Sequence, residues 1–359
     1  MLMEGIFAPV TTPFYLDERI YFRKIEANIA RYSRSLLAGM VVLGSTGEAV
    51  MLDDAETRDV LRAAAEATAP EKVLIAGVGR ESVKATVELA EAAAQFQYDA
   101  VLVRPPSYYS GQITTAAVLH YFRSVADRSP LPVILYHIPK FVPFQMPVEV
   151  IAELAQHPNI IGIKDSSGSV ERIRDSVAAT QNAPRRTVPV TQVFEAATTR
   201  MLAPHREPRA EAAATFVSAG DLAGGVAVAA APPAAPVKTR ERTRSREVGF
   251  QVLTGSERSI FHALQAGAAG AIVAFAAFAP QACQEIYLAW KDHDRKFAEE
   301  KQQRLLAAGN RIVGGMGLAG IKYACDFNGY FGGRPRAPLL PLTSEEKAEV
   351  EQLLAEIRN

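Results

Sequence analysis

A lysine at position 164 interrupts the apolar run NIIGIKDSSG, where burying a charge is costly. An amine held in a dry pocket loses proton affinity, and its neutral form can attack a ketone carbon to give an imine. Tyr136 ends the preceding apolar run, PVILYHIP. A phenol beside an amine can carry protons while a carbinolamine collapses and a carbon–carbon bond breaks. In MVVLGSTGE, Ser45 and Thr46 offer hydroxyls and backbone N–H groups in a turn closed by Gly47, an arrangement suited to a carboxylate. Each feature has a plainer reading. Lys164 could be a structural cation paired with Asp165 or Glu48, Tyr136 a core aromatic, and the Ser-Thr turn a simple strand-to-helix link. Pattern alone leaves both readings open.

What would position these residues is a repeated unit. Short Val/Ile/Leu-rich runs begin at Ile6, Met40, Lys72, Ala100, Pro132, Ile160, Phe250 and Ala271, as expected for strands buried on both faces. Between them, stretches such as those from Asp54, Glu81 and Thr114 carry apolar residues at helical spacing, with Asp, Glu or Thr near their starts, where helix ends need capping. Parallel strands alternating with helices predict an α/β fold, a (β/α)₈ TIM barrel whose chemistry sits at the C-terminal strand ends. No strand runs at once into a GxGxxG turn, which weakens a doubly wound open sheet. By alternation His137, next to Tyr136, faces away from the lumen. The expected organisation is a barrel over 1–279, interrupted at about 185–247, and a helical C-terminal segment over 280–359. The interruption is Ala/Pro-rich and then basic, AAAPPAAPVKTRERTRSRE, and such composition is expected to stay partly disordered. An earlier stretch, VTQVFEAATTRMLAP, reads as a short helix. The insertion precedes the seventh strand, so it should lie at the bottom of the barrel, away from the catalytic face.

Composition excludes several classes. Lys+Arg and Asp+Glu both number 39, so no net charge draws the chain to nucleic acid or an anionic membrane. Its two cysteines, Cys283 and Cys325, form no CxxC pair, and its histidines show no HxH or HExxH spacing. A disulfide framework and a zinc site are not expected, no metal or cofactor is implied, and a reducing compartment is the default. The opening MLMEGIFAPVTTPF lacks a basic-then-apolar leader, giving a cytoplasmic expectation. The uncharged stretch Ile260–Gln284 matches a membrane span in length, but its glycines, His262, Gln265 and Pro280 fit a helix end followed by a buried strand. Gly315, Gly317 and Gly320 spell GxGxxG without a preceding strand, and read as a turn between helices.

The motifs GSTGE, RPPSYYSG, YHIP and GIKDSSG, in this order and spacing, resemble the dihydrodipicolinate synthase and N-acetylneuraminate lyase superfamily. The likeness spans Ile6 to about Arg185 and resumes from Phe250; the insertion has no counterpart. The resemblance implies a pyruvate-type 2-oxo acid bound as a Schiff base to Lys164, with Tyr136 as proton shuttle and Ser45 and Thr46 holding the carboxylate. It implies that Tyr109 completes a neighbouring subunit's site in a homotetramer built as a dimer of dimers. Ser166, Gly255, Ile272 and Gly47 match substrate-pocket positions. One departure is specific: dihydrodipicolinate synthases carry an arginine five residues after the shuttle tyrosine, where this chain has Phe141. A phenyl ring cannot make a bidentate carboxylate contact, although the neighbouring Lys140 supplies a point charge. The stretches AAVLHYFRSVADRSPLPVILY, AELAQHPNIIGIKDSSG and GIKYACDFNGYFGGRPRAPL resemble most the 4-hydroxy-2-oxoglutarate aldolase branch. The expected activity is therefore retro-aldol release of pyruvate from a 4-hydroxy-2-oxo acid. The alternatives are a dihydrodipicolinate synthase, a sugar-acid aldolase or dehydratase, and a non-catalytic sensor of 2-oxo acids.

Overall fold

The computed structural model describes residues 2–190, 198–202 and 244–357. Its strands are β1 (Gly5–Pro9), β2 (Gly39–Val42), β3 (Val73–Gly77), β4 (Ala100–Val103), β5 (Val133–His137), β6 (Ile160–Asp165), β7 (Arg186–Val190), β8 (Arg244–Val248), β9 (Gln251–Thr254) and β10 (Gly270–Ile272). Eight of them close a parallel barrel in the order β1-β10-β9-β6-β5-β4-β3-β2, while β7 and β8 form a separate antiparallel ribbon. The (β/α)₈ expectation holds.

Alternation along the strands divides the core in two. Ile75, Leu102, Ile134 and Tyr136 point into the lumen with Met3 and Phe7. Their neighbours Leu74, Val101, Val133 and Leu135 face the surrounding helices. Strand β6 departs from this regularity. Val133 is level with Ile160 but Ile134 with Gly162, so the register slips by one residue at Ile161. A bulge of this kind reverses which residues face inward. Ile161 faces the lumen before it, and Lys164 comes level with Tyr136 and Leu253 after it. Gly162 is required here, because a Cβ would meet the Gln251 carbonyl at 2.3 Å and Met3 at 2.7 Å.

Polar side chains end the helices where their free backbone groups need partners. Asp53 and Glu56 form a capping box for helix Asp54–Ala67, and Ser82, Thr114 and Ser169 cap the helices after them. The apolar Ile260–Gln284 stretch resolves into helix Ile260–Gln265, strand β10 and the start of helix Pro280–Lys291. No helix among the described residues is long and apolar enough to cross a membrane. The long C-terminal helical stretch is broken at His293, whose φ is 63°, and Asp294 caps a new helix, Arg295–Ala308. A π-helix, Gly309–Met316, follows and meets helix Gly317–Phe327 at Gly317, so the formal GxGxxG is a junction between helices.

The flanks of the insertion correct one expectation. The basic segment Arg244–Val248 is a strand, paired with Arg186–Val190. Val188 and Val248 bury against Leu2, and Arg246 pairs with Glu4 at 2.7 Å. Apolar burial and ladder bonds hold a segment whose composition points to disorder. Residues Thr199–Leu202 form one helical turn; 191–197 and 203–243 lie outside the described residues. Arg200 donates to the Gln97 carbonyl at 3.0 Å and to that of Lys72. These contacts fall just before β1, β3 and β4, at the bottom of the barrel as expected.

Candidate active site

Strands β5 and β6 pair with Tyr136 opposite Lys164 and His137 opposite Asp165. The inward pair makes the centre of the site. Lys164 Nζ lies 3.1 Å from Tyr136 Oη, and that oxygen lies 3.4 Å from Ser45 Oγ. Lys164 and Tyr136 are each 6% exposed, whereas Ser45 at the mouth is open to solvent. An amine, a phenol and an alcohol thus stand in a row from the buried lumen to the surface. In the ring of eight strands, β2 and β6 are four places apart in either direction. The Ser45–Thr46–Gly47 turn therefore reaches in from across the barrel.

The outward pair accounts for the first carboxylate considered as a partner of Lys164. Asp165 is taken by His137 at 2.9 Å and Arg172 at 2.7 Å. Burial raises its pKa, but hydrogen bonds from His137 and Ser167 outweigh that and hold the carboxyl at about 2. Glu48, the other proposed partner, is bound to Lys322 at 2.5 Å. Neither Asp165 nor Glu48 forms an ion pair with Lys164, whose amine donates to the Tyr136 hydroxyl.

The turn that carries Ser45 and Thr46 is bent on both sides, with φ of 60° at Leu43 and 55° at Glu48. Positive φ is costly for such residues, and surrounding contacts impose it. Gly77 lets β3 pass Leu43, where a Cβ would meet the Leu43 carbonyl at 2.1 Å. Thr12 donates to the Gly47 carbonyl at 2.7 Å. Glu48 also accepts the Arg336 backbone N–H at 2.8 Å, and Lys322 Nζ donates to the Thr12 carbonyl at 2.9 Å. The C-terminal segment thus anchors the turn. Lys322 and Arg336 went unnoticed in the sequence, although a lone lysine inside the apolar GIKYACDF is the same signal that singled out Lys164.

The other expected pocket residues fall into two groups. Ile272 is fully buried in the lumen cluster with Tyr136. Ser166 and Gly255 meet where β6 and β9 end, with Gly255 N–H donating to the Asp165 carbonyl at 2.6 Å. A Cβ on Gly255 would stand 2.0 Å from Ser166 Oγ, so only glycine fits. Tyr109 is different: it is 65% exposed and packs edge-on against Tyr108. Glu81 accepts the Ser107 and Tyr108 N–H groups, which fixes the loop leading to it, yet within one chain Tyr109 stays outside the Lys164–Tyr136–Ser45 row. Phe141 is 61% exposed and brings no charge to the mouth.

Barrel and site together define the class of aldolase-type lyases built on a (β/α)₈ scaffold. Residues 2–184 and 233–357 match the Dihydrodipicolinate synthetase family, and the chain belongs to that family. Among its relatives is a probable mitochondrial 4-hydroxy-2-oxoglutarate aldolase of Emericella nidulans, 37% identical over 185 residues. That match spans 49% of this chain and 59% of the relative's length. An L-threo-3-deoxy-hexylosonate aldolase of Hypocrea jecorina is 28% identical over 98% of this chain and 95% of its own. Among solved structures, YagE of E. coli K12, a dihydrodipicolinic acid synthase family protein in complex with pyruvate, aligns at a TM-score of 0.76 and 25% identity, covering 99% of each chain.

Proposed function

We propose that this protein is a Schiff-base aldolase that cleaves a 4-hydroxy-2-oxo acid, such as 4-hydroxy-2-oxoglutarate, to pyruvate and an aldehyde. The observation that carries this reading is the Lys164 Nζ–Tyr136 Oη contact of 3.1 Å, with Asp165 and Glu48 each paired elsewhere. In this reading, the Lys164 amine adds to the C2 carbonyl, and Tyr136 supplies the proton with which water leaves, giving an iminium. Tyr136, now a phenolate, takes the C4 hydroxyl proton. The C3–C4 bonding electrons pass into the iminium, an aldehyde departs and an enamine remains. Protonation at C3 and hydrolysis of the imine release pyruvate. Ser45 and Thr46 hold the C1 carboxylate, and Ser45 links Tyr136 to solvent for proton exchange.

A second reading has its own support. The full-length match to L-threo-3-deoxy-hexylosonate aldolases favours a 3-deoxy-2-oxo sugar acid as substrate, by the same chemistry. The synthase alternative asks for a carboxylate-binding cation where Phe141 stands. The protein would act as a homotetramer in which Tyr109 completes a neighbouring subunit's site, in a reducing cytoplasm that suits its two buried, free cysteines.

The test is borohydride reduction in the presence of pyruvate, followed by peptide mass mapping and a pyruvate-release assay on a panel of 4-hydroxy-2-oxo acids. A mass increase on Lys164, absent in Lys164→Ala, with turnover, is expected. Trapping that survives in Lys164→Ala moves the Schiff base elsewhere and overturns the assignment. Trapping without turnover of any acid makes the protein a sensor.

A further inference from the structure

The mouth of the barrel carries a cation that the proposed chemistry does not use. Strand β9 runs into Gly255-Ser256-Glu257-Arg258. Arg258 is exposed and overlies the loop that follows Lys164. A Cβ built on Gly168 would stand 3.1 Å from an Arg258 terminal nitrogen and 3.6 Å from Ser256 Oγ. Gly168 has φ of 80°, so the loop turns beneath the guanidinium where side chains are disfavoured. No hydrogen bond or ion pair fixes the Arg258 guanidinium among the described residues, although its charge acts on the adjacent Glu257 carboxyl. Its neighbour Glu257 is withdrawn into the protein, and burial is the leading influence on that carboxyl, pushing its pKa up.

Topology says which end of a substrate would meet this cation. Ser45 and Thr46 come from β2, opposite Lys164 on β6. With a carboxylate at the β2 turn and C2 on Lys164, the rest of a linear acid continues to the near side of the ring. That side is formed by the ends of β6 and β9, where Ser166, Gly255 and Arg258 stand. Phe141, at the rim beyond β5, presents a phenyl ring, and the adjacent Lys140 points its amine to the Gly314 carbonyl at 3.5 Å.

We infer that Arg258 receives the distal carboxylate of the substrate, so that the site selects a five-carbon dicarboxylate over a chain of equal length with an uncharged tail. A planar guanidinium takes a carboxylate through two parallel hydrogen bonds. This inference rests on the Schiff-base reading above and narrows its substrate class.

The experiment needs no turnover. Borohydride trapping on Lys164 is titrated with 2-oxoglutarate and with 2-oxopentanoate, which differ only in the distal group. Wild-type protein should trap 2-oxoglutarate at concentrations lower by about tenfold or more, the range of a charge-assisted contact. Arg258→Ala should bring the ratio close to unity, and Arg258→Lys should leave it intermediate. Arg258 is exposed, so both variants should fold, checked by thermal melting. The inference is overturned if wild type shows no preference, if Arg258→Ala keeps it, or if Lys140→Ala alone removes it. Failure of wild type to trap even pyruvate is a separate result: it removes the Schiff-base reading itself, and this inference with it.

Discussion

Glu48 and Lys322, 274 residues apart, form an ion pair of 2.5 Å with side chains 1% and 0% exposed. The pair joins the C-terminal helical segment to the turn that presents Ser45 and Thr46. Breaking a buried pair from one side leaves an uncompensated charge, at a cost of about 3–5 kcal/mol. Lys322→Met should therefore lower the denaturation midpoint strongly and weaken pyruvate trapping. The double variant Lys322→Met/Glu48→Gln should regain much of the stability. A single variant as stable as wild type would show that the pair is not structural.

Tyr136 Oη contacts Lys164 and Ser45. Tyr136→Phe should accordingly keep the melting temperature while kcat falls by roughly 10² or more, the contribution of a positioned proton-transfer group. Near-normal turnover would reduce Tyr136 to a packing residue.

Asp165 governs acid stability. Its folded pKa is about 2 against an ordinary 3.8, a depressed carboxylate, so its contribution is complete above 3.8 and is lost as pH falls toward 2. At 1.36 kcal/mol per pKa unit this amounts to roughly 2 kcal/mol. Denaturant melts of wild type and Asp165→Asn should differ most at neutral pH and converge as the pH falls from 3.8 toward 2. A gap independent of pH would mean that the charge on Asp165 is not what matters.

The exposure of Tyr109 is understandable if a neighbouring subunit covers it. Light scattering should show at least a dimer, and Tyr109→Ala should slow turnover while leaving Lys164 trapping measurable. An active monomer would refute this role.

Joining residue 184 directly to 249 should lower the melting temperature while leaving Lys164 able to trap pyruvate. Composition alone points to a partly disordered segment there. The β7–β8 ribbon instead buries Val188 and Val248 against Leu2, and Arg200 binds backbone carbonyls before β3 and β4. Loss of trapping with the oligomer intact would place the insertion near the catalytic end.

By itself the sequence determined the barrel, because strands buried on both faces must be apolar throughout and helices packed on one side must repeat at helical spacing. It also marked Lys164, since a charge within such a strand is anomalous. Tertiary structure decided which way that charge points. Strict alternation from Ile161 would turn Lys164 outward, and only the slip against β5 brings it level with Tyr136. A bulge is a property of two paired strands and cannot be read in one. The same holds for Ser45, which meets Tyr136 across the ring because the barrel closes. It holds too for Lys322, whose partner Glu48 lies near the other end of the chain and becomes a neighbour only when the C-terminal helices pack against the barrel.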